Sequence, residues 1–172
     1  MAARPRNGRK ADAVPAAGER AFQAADWPIQ HCYMIERQHM LNSSRLLRRH
    51  GIDHLQWRVL VSLIEHDKLW INEMAARCGL ERTTLSKLLD RVEAKGLVLR
   101  VIEPEDRRRF RIVLTPKGRA TYRKCAPLVL GLFDDYFQEF TAAEMRGFMQ
   151  MLKRIRKNVE LRGTALARHL DD

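Results

Sequence analysis

The chain of 172 residues lacks several features that would indicate a membrane or secreted protein. No apolar run is long enough to cross a bilayer, and the first residues lack the apolar stretch of a secretory signal. Only three cysteines occur, and none forms a Cys-x-x-Cys pair. This usage predicts small buried thiols rather than a disulfide framework. We therefore expect a cytoplasmic protein with no membrane partner.

The sequence also lacks the arrangements that common enzymes need. It has no glycine-rich phosphate loop, no paired nucleophile and base, and no His-Glu-x-x-His pair for a metal. We therefore expect no catalytic residues, no cofactor, no metal and no enzyme activity.

Acidic residues are few compared with basic ones. The chain has 21 Asp and Glu against 32 Lys and Arg, which gives a net charge of +11. An excess of this size suggests a polyanionic partner, either nucleic acid or an anionic membrane surface. A solvated basic surface without a partner is the alternative. Hydrophobic residues make up 45% of the chain, enough for a folded core.

Two short helices joined by a tight turn are predicted in the middle of the chain. The first is expected to begin at an Asn72 cap and to end at Gly79. The second has apolar residues at the i, i+3, i+4, i+7 spacing of a buried helix face, namely Leu85, Leu88, Leu89 and Val92. This arrangement indicates a helix-turn-helix.

The polar residues at the start of the second helix are of the kinds that contact DNA. They are Arg82, Thr83, Thr84, Ser86 and Lys87. Short hydroxyl groups allow close approach to base edges, and a flexible cation can bind phosphate. This face is therefore predicted to enter the major groove. By itself, it fits an ordinary amphipathic helix with a solvated outer face equally well.

A β-hairpin is predicted directly after this helix. Residues 97–102 and 110–114 are rich in β-branched and alternating apolar residues, which favours two antiparallel strands. Residues 103–106 are expected to form the turn, since Pro104 fixes its own φ angle.

The hairpin carries three consecutive arginines, Arg107, Arg108 and Arg109, which we expect near its tip. Adjacent cations repel one another unless an anion lies between them, and Asp106 is placed to orient one guanidinium group. The others suit phosphates or a narrow minor groove. A solvated run of charge is the alternative interpretation.

Longer helices are predicted on either side of this region. One begins near Asp26–Pro28 and reaches about Arg49, and another covers 53–66. Two more begin at Thr115 and at the Thr141 capping box, the last running to about Glu160. The first and the last two are longer and more apolar than one small lobe needs, which predicts packing against a second copy.

The predicted fold is therefore mainly α: a winged helix-turn-helix lobe with a β-hairpin wing, plus N- and C-terminal helices forming a dimerisation region. The DNA-binding lobe is expected at 53–114 and the helical dimerisation region at 25–52 and 115–162. A flexible basic tail is expected at 1–24 and a C-terminal tail at 163–172.

The chain resembles the MarR family of transcriptional regulators over about Trp27 to Glu160. The resemblance is carried by RTTLSKLLDRVEAKGLV at 82–98, PEDRR at 104–108 and LTPKG at 114–118. It implies a homodimer on a pseudo-palindromic operator in double-stranded DNA, with Asp106 orienting Arg108 into the minor groove. Family members usually repress nearby genes and release DNA when a small ligand binds, often a phenolic or aromatic acid and sometimes an aromatic acyl-CoA.

A site for such a small-molecule effector is expected near the first long helix. The candidates are His31, Arg37, His39, Asn42 and Trp57, because an anion needs donors and a ring needs an apolar wall. A polar seam between subunits is the alternative interpretation of the same residues.

The resemblance leaves other kinds of regulation open. Some family members sense oxidants through a cysteine near the start of the first helix, where Cys32 lies. Others sense zinc, but the five upstream histidines here lack the tight spacing of metal ligands. A winged helix used only for protein–protein contact is a further alternative, which the arginine run disfavours.

Overall fold

The computed structural model describes residues 27–103 and 106–170, except for the side chains of 106–109 and 164–170. The predicted N-terminal tail, the expected Asp26 cap and the turn residue Pro104 lie outside the described residues. The chain divides into two compact units, residues 1–42 and residues 43–172.

The described elements confirm a mainly helical fold with a small antiparallel sheet. In chain order they are α1 (Pro28–Leu47), a short 3-10 helix (Arg48–His50), α2 (His54–His66), β1 (Lys68–Trp70), α3 (Ile71–Cys78), α4 (Arg82–Ala94), β2 (Val98–Glu103), β3 (Asp106–Leu114), α5 (Pro116–Phe137) and α6 (Ala142–Leu170). None of the helices within this described part is both long and apolar enough to cross a bilayer.

Side-chain caps begin several helices where the sequence predicts them. The Asp53 carboxylate accepts from the Gln56 N–H at 2.9 Å, and the Gln56 side chain accepts from the Asp53 N–H at 3.2 Å. The Thr115 hydroxyl accepts from the Gly118 N–H at 2.9 Å at the start of α5. Each bond satisfies a backbone N–H that has no partner within its own helix.

The predicted Asn72 cap is wrong. Helix α3 begins at Ile71, so Asn72 lies inside its first turn. The Glu73 carboxylate accepts from the Trp70 N–H at 2.9 Å, and this bond satisfies the start of the helix. Strand β1 runs directly into the helix, so its last residue, Trp70, occupies the N-cap position in place of Asn72.

The sheet has three antiparallel strands in the order β1-β3-β2. Strand β1 pairs Leu69 with Ile112, and β2 pairs Arg100 with the same residue on the other side of β3. Strand β1 is not predictable from the sequence, because three residues are too few to show an alternating pattern.

The returning strand begins earlier than predicted. Strand β3 starts at Asp106 instead of at position 110, because Asp106 pairs with Glu103 across a short connection. The pairing passes from Ile102–Phe110 to Glu103–Asp106, so one step on β2 corresponds to four on β3. The three arginines at 107–109 therefore form a bulge in β3, next to the predicted turn at 103–106.

Apolar residues from α2, α3, α4 and the sheet form one core within residues 43–172. Its fully buried members include Leu60, Leu63, Met74, Leu85, Leu88, Val98 and Ile112. Cys125 and Val129 of α5 also belong to this core. The core holds α4 on one side only, which leaves its opposite face exposed.

Helix α6 is longer than the sequence indicates. It begins at Ala142, directly after Thr141 of the predicted Thr141–Glu144 capping box, and continues to Leu170, ten residues beyond the predicted end near Glu160. Residues 163–170, which were expected to be part of a C-terminal tail, are therefore helical. The sequence there contains no proline, and Gly163 alone does not end the helix.

Candidate nucleic-acid interface

Helix α4 presents the predicted polar residues on its outer face. Arg82, Thr83, Thr84 and Lys87 are exposed, and Ser86 is partly buried. The four apolar residues predicted to face the core are all buried. A helix with hydroxyl groups and cations in its first two turns has the surface chemistry that reads a DNA groove.

The turn before α4 depends on a glycine. Gly79 adopts φ +58°, a left-handed conformation that other residues rarely adopt. Its N–H donates to Ala76 O at 3.2 Å, and the Leu80 N–H donates to Ala75 O at 3.0 Å. These bonds end α3 and set the direction in which the chain enters α4.

The exposed face of α4 is electropositive. Within the described part of the chain, Arg82, Lys87 and Arg91 form no ion pair, so their charges face solvent. Arg91 is not among the residues predicted for the interface. It lies four residues after Lys87, on the same side of the helix, and that spacing is the signal that could have identified it.

An arginine of β2 binds two carboxylates of α4. Arg100 donates to Asp90 at 2.6 Å and to Glu93 at 2.8 Å, and its backbone N–H donates to Glu93 at 3.0 Å. Its guanidinium also lies 5.4 Å from the Phe110 ring centroid. This cluster fixes the hairpin to the helix and neutralises the charge of Arg100, a role that sequence reasoning missed.

A second hairpin arginine stabilises the sheet. Arg111 forms an ion pair with Glu103 at 2.5 Å and lies 4.4 Å from the centroid of the Trp70 ring. It therefore connects β3 with both neighbouring strands. Because Arg100 and Arg111 are paired inside the lobe, neither is positioned to supply a cation to a partner.

The predicted wing residues Asp106, Arg107, Arg108 and Arg109 lie in the first part of β3. Their backbone places three of them in the bulge described above, and their side chains are outside the described residues. The contact between Asp106 and Arg108 implied by the family resemblance therefore stays a prediction.

Comparison with known proteins decides the family. Residues 50–109 match the model of the MarR family. The homoprotocatechuate degradative operon repressor of Escherichia coli is 30% identical over 108 residues, which cover 63% of this chain and 73% of that repressor. The chain belongs to the MarR family. It is a transcriptional regulator of repressor type with a DNA-binding fold, and the family consists of regulators rather than enzymes.

Other similar proteins are also regulators of this type. The repressor IacR of Pseudomonas putida is 27% identical over 146 residues, covering 85% of this chain and 86% of IacR. A MarR-family regulator from Silicibacter pomeroyi has a TM-score of 0.71 and 28% identity over 80% of this chain and 92% of its own. A cysteine-to-serine mutant of Escherichia coli MarR, complexed with operator DNA, has a TM-score of 0.67 and 25% identity. The match covers 73% of this chain and 91% of that MarR chain.

The candidate effector residues of the MarR-family chain fall in both units. In the unit ending at residue 42, His31 and Arg37 are exposed, whereas His39 and Asn42 are partly buried. In the other unit, Trp57 is 7% exposed and stacks on Tyr122 with ring centroids 5.2 Å apart. The described structure thus places Trp57 in the core, with one face of its indole ring covered by Tyr122.

The three cysteines differ in exposure. Cys78 and Cys125 are fully buried, as predicted, and burial raises the pKa of both thiols above the usual value. The prediction is wrong for Cys32, which is exposed in the first part of α1. Across the described ranges, no group of three His, Cys, Asp or Glu side chains is arranged to hold a metal ion.

Proposed function

We propose that this chain is a homodimeric, sequence-specific repressor that binds a pseudo-palindromic operator and is released by a small aromatic acid or acyl-CoA-type ligand. The exposed face of α4 is the observation that carries the proposal. It presents two threonine hydroxyls beside cations that have no internal ion-pair partner. Such a face can combine base-edge contacts with phosphate contacts.

Dimerisation is supported by apolar residues that the described chain leaves exposed. They include Phe133 of α5 and, on α6, Phe148, Ile155, Val159 and Leu161, all at least 37% exposed. So many large apolar side chains on two long helices are unusual on a monomer. A two-fold dimer would present two α4 helices about 34 Å apart, the pitch of B-form DNA.

Release by an aromatic acid is supported by chemistry and by one relative. The exposed Arg37 and His31 supply donors suited to a carboxylate, and α1 also exposes aromatic and aliphatic groups at Tyr33 and Ile35. The Escherichia coli relative is named as repressor of the operon that degrades homoprotocatechuate, an aromatic acid.

DNA binding is tested with duplexes selected from a random pool by the purified wild-type protein. We expect a dimer by sedimentation and a two-fold symmetric selected sequence. Affinity measured by fluorescence anisotropy is expected to fall steeply with salt, since each phosphate contact adds about −0.9 to the slope of log K against log salt. Arg108→Ala is expected to weaken binding about 10-fold or more, because a contact in a narrow minor groove is lost.

Circular dichroism controls for the folding of the Arg108→Ala variant. Wild-type affinity in a folded variant would show that Arg108 does not contact the operator. A monomeric protein, or one that binds all duplexes equally, would contradict the proposal as a whole.

Ligand release is tested by adding aromatic acids and their acyl thioesters to the complex of protein and selected duplex. We expect at least one of them to lower anisotropy and to change tryptophan fluorescence, while aliphatic acids of equal charge have no effect. If no aromatic compound releases the DNA, this part of the proposal is wrong. Release by peroxide that Cys32→Ser abolishes would support the oxidant-sensing alternative, which the exposure of Cys32 favours.

A further inference from the structure

The C-terminal end of α4 is hydrogen-bonded to the segment that connects the 3-10 helix to the first turn of α2. We call this segment, residues 51–56, the Gly51–Gln56 joint. The Lys95 ammonium donates to Gly51 O at 2.5 Å and to Gln56 Oε1 at 2.8 Å. Gln56 is 2% exposed and forms the capping box of α2 together with Asp53. One cation thus connects the end of the 3-10 helix that follows α1, the start of α2 and the end of α4.

The same end of α4 is bonded to the start of α5. The Lys117 ammonium donates to Lys95 O at 2.7 Å, and the Thr115 hydroxyl donates to Gly96 O at 2.7 Å. The segment 95–97 is therefore a junction, held by the joint at Gly51–Gln56 on one side and by the first turn of α5 on the other. We call it the α4 junction.

The α4 junction lies at the far end of α4 from the proposed reading face. Helix α4 has 13 residues and is therefore about 20 Å long. A tilt of about 10° around the junction would displace the first turn by about 3 Å, close to the rise of one base pair. A small change at Lys95 can therefore change where Thr83 and Thr84 lie relative to a half-site.

The charge of Lys95 is directed at protein oxygens. Both of its acceptors belong to the Gly51–Gln56 joint, and charge-assisted bonds of this kind are stronger than neutral ones. Apolar packing of Leu85, Leu88 and Leu89 holds α4 in the lobe whether or not this lysine is present. Lys95 therefore affects the orientation of α4, whereas apolar packing keeps the helix attached to the lobe.

From these contacts, and resting on the proposed function, we infer that Lys95 is a positioning residue for operator recognition. It fixes the orientation of α4 relative to the Gly51–Gln56 joint, and in the proposed dimer it thereby fixes the distance between the two reading helices. Lys95 acts through α4 and touches no DNA itself.

The test compares Lys95→Met and Lys95→Arg with the wild type on three duplexes. These are the duplex selected by the wild type, the same duplex with one base pair inserted between its half-sites, and an unrelated sequence of equal length. Lys124→Met is the control for loss of one positive charge, since Lys124 is exposed on α5. Affinity is measured by anisotropy over a range of salt, and melting temperature is measured for every variant.

The wild type is expected to prefer the selected spacing by about 10-fold or more over the inserted one, the scale of a mismatch in a specific site. Lys95→Met is expected to reduce that preference at least about 3-fold, with unchanged affinity for the unrelated duplex and an unchanged salt slope. Lys95→Arg should recover most of the preference, because its guanidinium also donates to oxygen. Lys124→Met should match the wild type.

Two results would overturn the inference while the proposed function stands. Equal weakening on all three duplexes, with a salt slope smaller by about one, would make Lys95 a phosphate contact. Unchanged spacing preference would leave Lys95 without a positioning role, whatever the melting temperature. If Lys95→Met does not fold, Lys95→Gln provides the same comparison. Failure of the proposed function is seen separately, in a wild-type protein that selects no duplex, and the inference then fails with it.

Discussion

Replacing Lys87 with glutamate is expected to reduce affinity for the selected duplex about 100-fold, the equivalent of ~3 kcal/mol. Lys87 lies on the exposed face of α4, one turn after Thr83 and one turn before Arg91. It forms no ion pair within the described part of the chain, so no internal partner would compensate for the change. The variant loses an attraction to phosphate and gains a repulsion. Anisotropy over a salt series should show a slope smaller by about two.

Lys124→Glu is the matched control, because it makes the same change of charge on an exposed residue of α5. It should lose only the small, long-range part of the electrostatic attraction. If both variants lose the same affinity, net charge and not the α4 face determines binding. If Lys87→Glu binds as tightly as the wild type, α4 does not enter the groove.

Local features of the lobe were predictable because each depends on a few neighbouring residues. Asp53 and Gln56 lie three positions apart, which is the spacing that lets each satisfy the other's N–H. Gly79 ends α3 at the position where only a glycine adopts φ +58° without strain. The buried face of α4 follows from the helical period alone.

Features that depend on pairing between distant residues were not predictable. Strand β1 exists because Lys68–Trp70 find partners on β3, more than 40 positions away. Because this strand ends at Trp70, α3 begins at Ile71, and Glu73 accepts from the Trp70 N–H where the sequence predicted an Asn72 cap. The bulge at 107–109 likewise follows from the register of β2 against β3, which cannot be predicted from the residues of either strand alone.

The candidate site also combines features that depend on neighbouring residues with features that depend on distant ones. Sequence reasoning identified the exposed residues of α4, because exposure follows from the position of a residue around the helix. It did not separate paired arginines from unpaired ones. Arg100 is neutralised by Asp90 and Glu93, a fact that depends on how the hairpin folds back onto the helix.

Replacing Gly118 with alanine is expected to destabilise the protein by about 3 kcal/mol, which is the upper part of the usual range for overpacking. A Cβ atom at Gly118 would lie 2.1 Å from Leu97 O and 2.9 Å from Leu114 Cδ2. The carbonyl cannot move away freely, because it also accepts hydrogen bonds from the Thr115 N–H and hydroxyl. The first turn of α5 would have to separate from the α4 junction.

Gly131→Ala in the same helix is the matched control, since a Cβ there meets nothing within 4 Å. Alanine is favoured over glycine inside a helix by about 1 kcal/mol, so this control should be slightly more stable than the wild type. Urea unfolding at one fixed protein concentration measures both variants, since the stability of a dimer depends on concentration. Opposite signs for two identical substitutions would show that α5 is seated against Leu97. Equal stabilisation by both would contradict this packing, and with it the close contact between α5 and the α4 junction.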